Sequence, residues 1–171
     1  MQLKPFLSAL VVLGIATGTA VAAGGPPGHS HGPGSSHEET AFGKPGDPKK
    51  PARPVPIVMT EVNGKMSFIP SLIEVKQGEQ IKFILRNNGE LDHELVLATL
   101  EMNLAHAEEM KKNPDMEHDD PNAKRLAPKK TGEIVWQFTK TGEFDFSCLI
   151  PGHRESGMTG KIIVKSSQAK K

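Results

Sequence analysis

Near its C-terminal end the chain sets three lone-pair donors at even intervals: Cys148, His153 and Met158, with four residues between each pair. A thiolate and a thioether are soft donors and an imidazole is a borderline one, a set that suits copper cycling between Cu(I) and Cu(II). Zinc and magnesium sites rarely recruit methionine, so Met158 narrows the choice of metal. Cys148 is the only cysteine and cannot form an internal disulfide. In an oxidising compartment a free thiol is a liability, which points to burial or to a bound metal. The loop needs one more ligand from elsewhere.

The elements that must position this loop read as β-strands. Ile81, Phe83 and Leu85 share one parity, as do Ile134, Trp136 and Phe138, then Phe144 and Phe146, then Ile162 and Val164. Period two, punctuated by Asn63-Gly64, Gln77-Gly78, Asn88-Gly89 and Thr141-Gly142, predicts antiparallel strands with one buried face each. Seven or eight such strands over residues 57–166 predict an all-β fold, a Greek-key sandwich. His93 has the parity of Leu95 and Leu97, and Cys148 that of Phe144 and Phe146. If those faces are buried, His93 and Cys148 both point inward at one end of the sandwich, where His93 could close a four-ligand site with the loop or serve as a hydrogen-bonded core histidine. Residues 99–130 break the rhythm as an insertion: Met102 to Lys112 reads as a helix ended by Asn113-Pro114, followed by a polar loop.

Residues 1–23 read as a cleaved export signal, with Lys4, an apolar core from Phe6 to Ala16 and the small-residue site Ala20-Val21-Ala22. An uncleaved anchor is the alternative, disfavoured by the short apolar run. The expected mature product is soluble and periplasmic, with no membrane insertion. Residues 24–56, rich in Gly, Pro, Ser, His and Lys, read as a flexible arm, and 167–171 as a tail. Loss of Lys4 leaves 20 basic against 20 acidic side chains, from 21 and 20 in the whole chain. That balance gives no electrostatic case for nucleic acid or an anionic membrane.

The segments Asp-His-Glu-Leu-Val-Leu-Ala (92–98) and Phe-Asp-Phe-Ser-Cys through Ile-Ile-Val (144–164) resemble the cupredoxins, the type 1 copper proteins. The resemblance implies one copper centre held by His93, Cys148 and His153, with Met158 as a weaker axial ligand. The ligand-loop spacing is more similar to rusticyanins and phytocyanins than to plastocyanin. Many cupredoxins carry Asn where this chain has Glu94, whose backbone N–H is the first candidate to tune the thiolate. The resemblance extends to exported copper-tolerance cupredoxins with His- or Met-rich extensions. It implies a redox-active protein of copper homeostasis, or alternatively a soluble respiratory electron carrier. A redox partner protein is expected to dock near His153, beside Leu149, Ile150 and Pro151, on what is expected to be a monomer. A Cys–His hydrolytic pair is the enzymatic rival, but no orienting Asn or Asp and no oxyanion site stand at recognisable spacing, so no enzyme activity is expected.

Two further sets bear on additional copper ions. His29, His31 and His37 lie among glycines in the arm, where neutral imidazoles could capture Cu(II). Met102, His106 and Met110 fall at i, i+4 and i+8, with Met116 and His118 close behind, and could take up Cu(I). The competing expectation is that Met102, Leu104 and Met110 pack the helix onto the sandwich.

Overall fold

The computed structural model describes residues 39–114, 116 and 120–167. In chain order the elements are β1 (Lys44–Pro45), β2 (Arg53–Val62), β3 (Lys65–Ile69), β4 (Leu72–Lys76), β5 (Gln80–Asn87), β6 (His93–Ala98), α1 (Leu100–Lys112), β7 (Ala123–Leu126), β8 (Thr131–Gln137), β9 (Gly142–Ser147) and β10 (Thr159–Lys165). They form two five-stranded sheets, ordered β1-β8-β5-β2-β3 and β4-β10-β9-β6-β7. The residues of common parity, Ile81, Phe83, Leu85, Ile134, Trp136, Phe138, Ile162 and Val164, are all buried between the sheets.

Two features differ from the expected sandwich. There are ten strands among the described residues, and two pairings are parallel, β2 with β5 and β4 with β10. Period two reports which face of a strand is buried but not which way its neighbour runs, so parallel pairs left no mark in the pattern.

The flexible arm expected over 24–56 does not hold for its second half. Phe42 is only 2% exposed and stacks on Trp136 with ring centroids 5.1 Å apart. The indole Nε1–H donates to the Phe42 carbonyl at 3.0 Å, β1 pairs with β8, and β2 already begins at Arg53. An aromatic anchor together with strand pairing fixes a segment that composition alone reads as loose. Gly43, at φ +119°, passes so close to Gln137 that a Cβ would strike its carbonyl. Phe42→Ala is expected to cost about 3–4 kcal/mol of stability by urea unfolding, and a loss under about 1 kcal/mol contradicts this anchoring. The expected signal, the first half of the arm and His29, His31 and His37 lie outside the described residues.

The insertion forms its helix two residues earlier than expected. Thr99 is the N-cap and accepts the Met102 N–H at 3.2 Å, while Glu101 near the start and Lys111 and Lys112 near the end complement the helix dipole. The helix lies on the outer face of β6 and β9, which explains why β6 is buried at all six positions. Only part of the packing expectation holds: Met110 is buried against Val96 and Leu149, whereas Met102 and Leu104 are 49% and 48% exposed. No helix among the described residues is long and apolar enough to cross a membrane.

Candidate metal centre

Two strands of one sheet and the loop that follows them supply the site. His93 opens β6, Cys148 directly follows β9, and His153 lies on the loop that leads into β10. His93 and Cys148 are fully buried, and His153 is partly exposed. Nδ1 of His153 is 3.3 Å from the Cys148 Sγ and 3.3 Å from Nδ1 of His93. The three donor atoms lie within 4.8 Å of one another. The parity argument therefore brings two side chains separated by more than fifty positions to one pole, as expected.

Backbone hydrogen bonds hold the loop in shape. Cys148 N–H donates to the Met158 carbonyl, and Met158 N–H donates to the His153 carbonyl, both at 3.1 Å. His153 N–H donates to Ile150 at 3.0 Å, and Met66 N–H on β3 reaches the Ser156 carbonyl at 3.0 Å. Met158 is fully buried and is thus tied through its backbone to both Cys148 and His153. The Glu94 N–H donates to the Cys148 Sγ at 3.4 Å, and the Glu94 carboxylate accepts the Leu149 N–H at 3.0 Å. Leu149 is buried under α1 rather than exposed beside His153, because the residue after Cys148 turns to the opposite face. Ile150 is half-buried and Pro151 is exposed, so these two remain of the expected apolar rim.

Burial dominates the electrostatics of Cys148 and His153. Burial pushes the Cys148 thiol up to about 12, with the Glu94 N–H opposing part of the rise. Burial and the adjacent His93 hold His153 below the ordinary histidine range. Without metal, the thiol is protonated and the His153 imidazole neutral at neutral pH, so loading a metal must release the thiol proton. A histidine with a depressed folded pKa gives stability that is present above about pH 6.5 and lost as pH falls through its folded value. The metal-free protein is thus expected to show a falling urea midpoint below about pH 6.5, and a slope that persists in His153→Gln places its origin elsewhere.

Glu61 and the pair Asp145–Arg154 join the site although no ligand-type spacing marks them in the sequence. Glu61 accepts from Nε2 of His93 at 2.7 Å and from the Leu91 N–H at 3.1 Å, and also from the Glu90 N–H. Burial alone would raise its pKa, but these hydrogen bonds outweigh it and hold the carboxyl below the usual range. Its signal was available: Glu61 continues the inward parity of Val55, Ile57 and Met59, and an acid on that face needs a partner. Asp145 accepts from Arg154 at 2.9 Å, Asn103 at 2.7 Å and Ser147 at 2.6 Å, joining the ligand loop, α1 and β9.

Of the proposed accessory residues, Met102 is exposed, His106 and Met116 are half-buried, and Met110 is buried. Met116 packs against the cluster of Val96, Met110 and Leu149. The structure thus buries Met110 in the packing under α1 and leaves Met102 exposed. His118 lies outside the described residues.

The donor set fits copper on the site's own chemistry. With Nε2 of His93 facing the Glu61 carboxylate as an N–H donor, its Nδ1 carries a lone pair toward His153 and the thiol. A two-sheet sandwich with a buried sulfur and two imidazole nitrogens converging at one pole defines a cupredoxin. The chain belongs to the plastocyanin/azurin family of copper-binding proteins, whose pattern matches residues 55–165. It is 45% identical over 164 residues to the copper-resistant cuproprotein CopI of Rubrivivax gelatinosus, covering 95% of this chain and 97% of that one. It is 32% identical over 187 residues to the copper-resistant cuproprotein CopI of Pseudomonas aeruginosa, covering 92% and 95%. Auracyanin B superposes with a TM-score of 0.59 over 77% of this chain and 99% of that one, at 18% identity, a likeness of fold alone.

Proposed function

We propose that this protein binds one copper ion at a type 1 centre formed by His93, Cys148 and His153 with Met158 as the weak fourth ligand, and serves copper resistance. The observation that carries this reading is the convergence of Nδ1 of His93, Sγ of Cys148 and Nδ1 of His153. The two CopI relatives, each aligned over more than nine-tenths of this chain, support the resistance role. Copper at such a site supplies one-electron chemistry between Cu(I) and Cu(II). The chain's own residues set the terms. Burial of Cys148 excludes water, the loop hydrogen bonds fix the donors, and the sandwich holds them in one geometry for both oxidation states. His153, partly exposed and flanked by Ile150 and Pro151, is the route by which a redox partner would exchange an electron. The role is binding and electron passage rather than turnover of a substrate, carried out in the periplasm by a monomer.

A respiratory electron carrier is the competing job. A deletion strain that becomes copper-sensitive but respires normally supports resistance, whereas selective loss of an oxidase or reductase activity overturns it. The buried Glu94 carboxylate lies one residue from His93 and bonds the loop at Leu149. Its charge favours Cu(II), so Glu94→Gln is expected to raise the reduction potential, and an unchanged potential counts against that assignment. Extra copper on the arm histidines or the Met102–His118 segment predicts more than one copper per chain. A stoichiometry of one in both the intact and the segment-deleted protein removes it.

A further inference from the structure

Glu61 sits on β2, in one sheet, while His93 opens β6 in the other. Its carboxylate bridges the two across the pole where the copper donors meet, with Oε2 on Nε2 of His93 at 2.7 Å. Its other oxygen is held by the N–H groups of Glu90 and Leu91, so the acid is fixed before any metal arrives. Gly89 makes this approach feasible, because a Cβ there would overlap the Glu61 carboxylate. Asn87 steadies the same turn, accepting the Gly89 N–H at 2.9 Å and donating to the Leu91 carbonyl at 2.8 Å. A charged side chain held by three donors at an inward-facing register is a built feature of the site.

We propose that Glu61 is a positioning residue of the copper centre: it fixes His93 with its proton on Nε2 and its Nδ1 lone pair toward the metal, and its charge biases the site toward Cu(II). This rests on the copper reading above. A carboxylate on the far nitrogen of a ligating imidazole orients the ring and raises its basicity. The more basic ligand favours the more highly charged ion, so the residue acts on Cu(II) more than on Cu(I).

The test compares wild type, Glu61→Ala, Glu61→Gln and Gly89→Ala, each loaded with one equivalent of Cu(II). Chelator competition gives the Cu(II) and Cu(I) affinities, a mediated titration gives the potential, and circular dichroism of the metal-free forms gives the fold. Glu61→Ala is expected to lose about 10- to 100-fold in Cu(II) affinity, with a smaller loss for Cu(I). If the loss fell wholly on Cu(II), the potential would rise by about 60–120 mV, at about 59 mV per tenfold for one electron. Glu61→Gln keeps an acceptor for the Nε2–H without the charge and falls between. Gly89→Ala, with Glu61 intact but displaced, shifts the potential in the same direction. A folded Glu61→Ala with wild-type potential and affinities overturns the proposal, as does an unshifted Gly89→Ala if Glu61→Ala does not fold. Wild-type protein that shows no thiolate–copper absorption overturns the copper reading itself, which separates the two failures.

Discussion

Cys148→Ser is expected to abolish the intense visible absorption of the copper-loaded protein while leaving the sandwich folded. The absorption requires charge transfer from a thiolate, and a serine hydroxyl neither ionises in this buried setting nor donates as a soft ligand. Substitutions that disturb only the partners of metal ligands cost about 10- to 100-fold in affinity, so loss of the sulfur itself should weaken Cu(II) binding by well over about 100-fold. The fold should survive because serine is close in volume and the Glu94 N–H that faces Sγ finds an oxygen instead. A stability change of about 1 kcal/mol is expected, the net worth of one altered hydrogen bond. Retained colour means that the thiolate is not a ligand.

Asp145→Ala should have the largest effect on stability. Asp145 and Arg154 have side chains 11% and 15% exposed, and the guanidinium also contacts Ser147. Removing the acid leaves a nearly buried cation without its counter-charge, which costs about 3–5 kcal/mol. It also strips an acceptor from Asn103, whose amide hydrogen-bonds both Asp145 and the Val96 carbonyl and so fastens α1 to the sheet. Because Arg154 follows His153 directly, the loosened loop is expected to release copper faster as well as lower the urea midpoint. A midpoint within about 1 kcal/mol of wild type contradicts the clamp, and unchanged copper release uncouples it from the metal.

The sequence is informative where an apolar or ligand-type residue continues a periodic pattern. His93 and Cys148 shared parity with buried leucines and phenylalanines, and the structure puts both inside at one pole. The Glu94 N–H bond to sulfur is present as the resemblance to cupredoxins implies. Features that depend on contacts between distant segments leave no local mark. Phe42 was hidden by the glycines and prolines around it, since composition averages over a window while burial depends on one ring meeting Trp136. Leu149 is expected beside His153 because nothing local in the sequence shows that α1 covers it. The parallel pairs β2–β5 and β4–β10 required knowing which strands cross between sheets. Glu61 was legible in principle, as an acid on an inward-facing register, but its meaning depended on where His93 would stand.

The most direct measurement is the absorption and EPR spectrum of the protein carrying one equivalent of Cu(II). A thiolate donor among two imidazoles predicts intense visible charge-transfer bands, lost in Cys148→Ser. A faint spectrum, of the kind given by Cu(II) bound only through nitrogen and oxygen, would mean that the sulfur and the two rings do not share a metal.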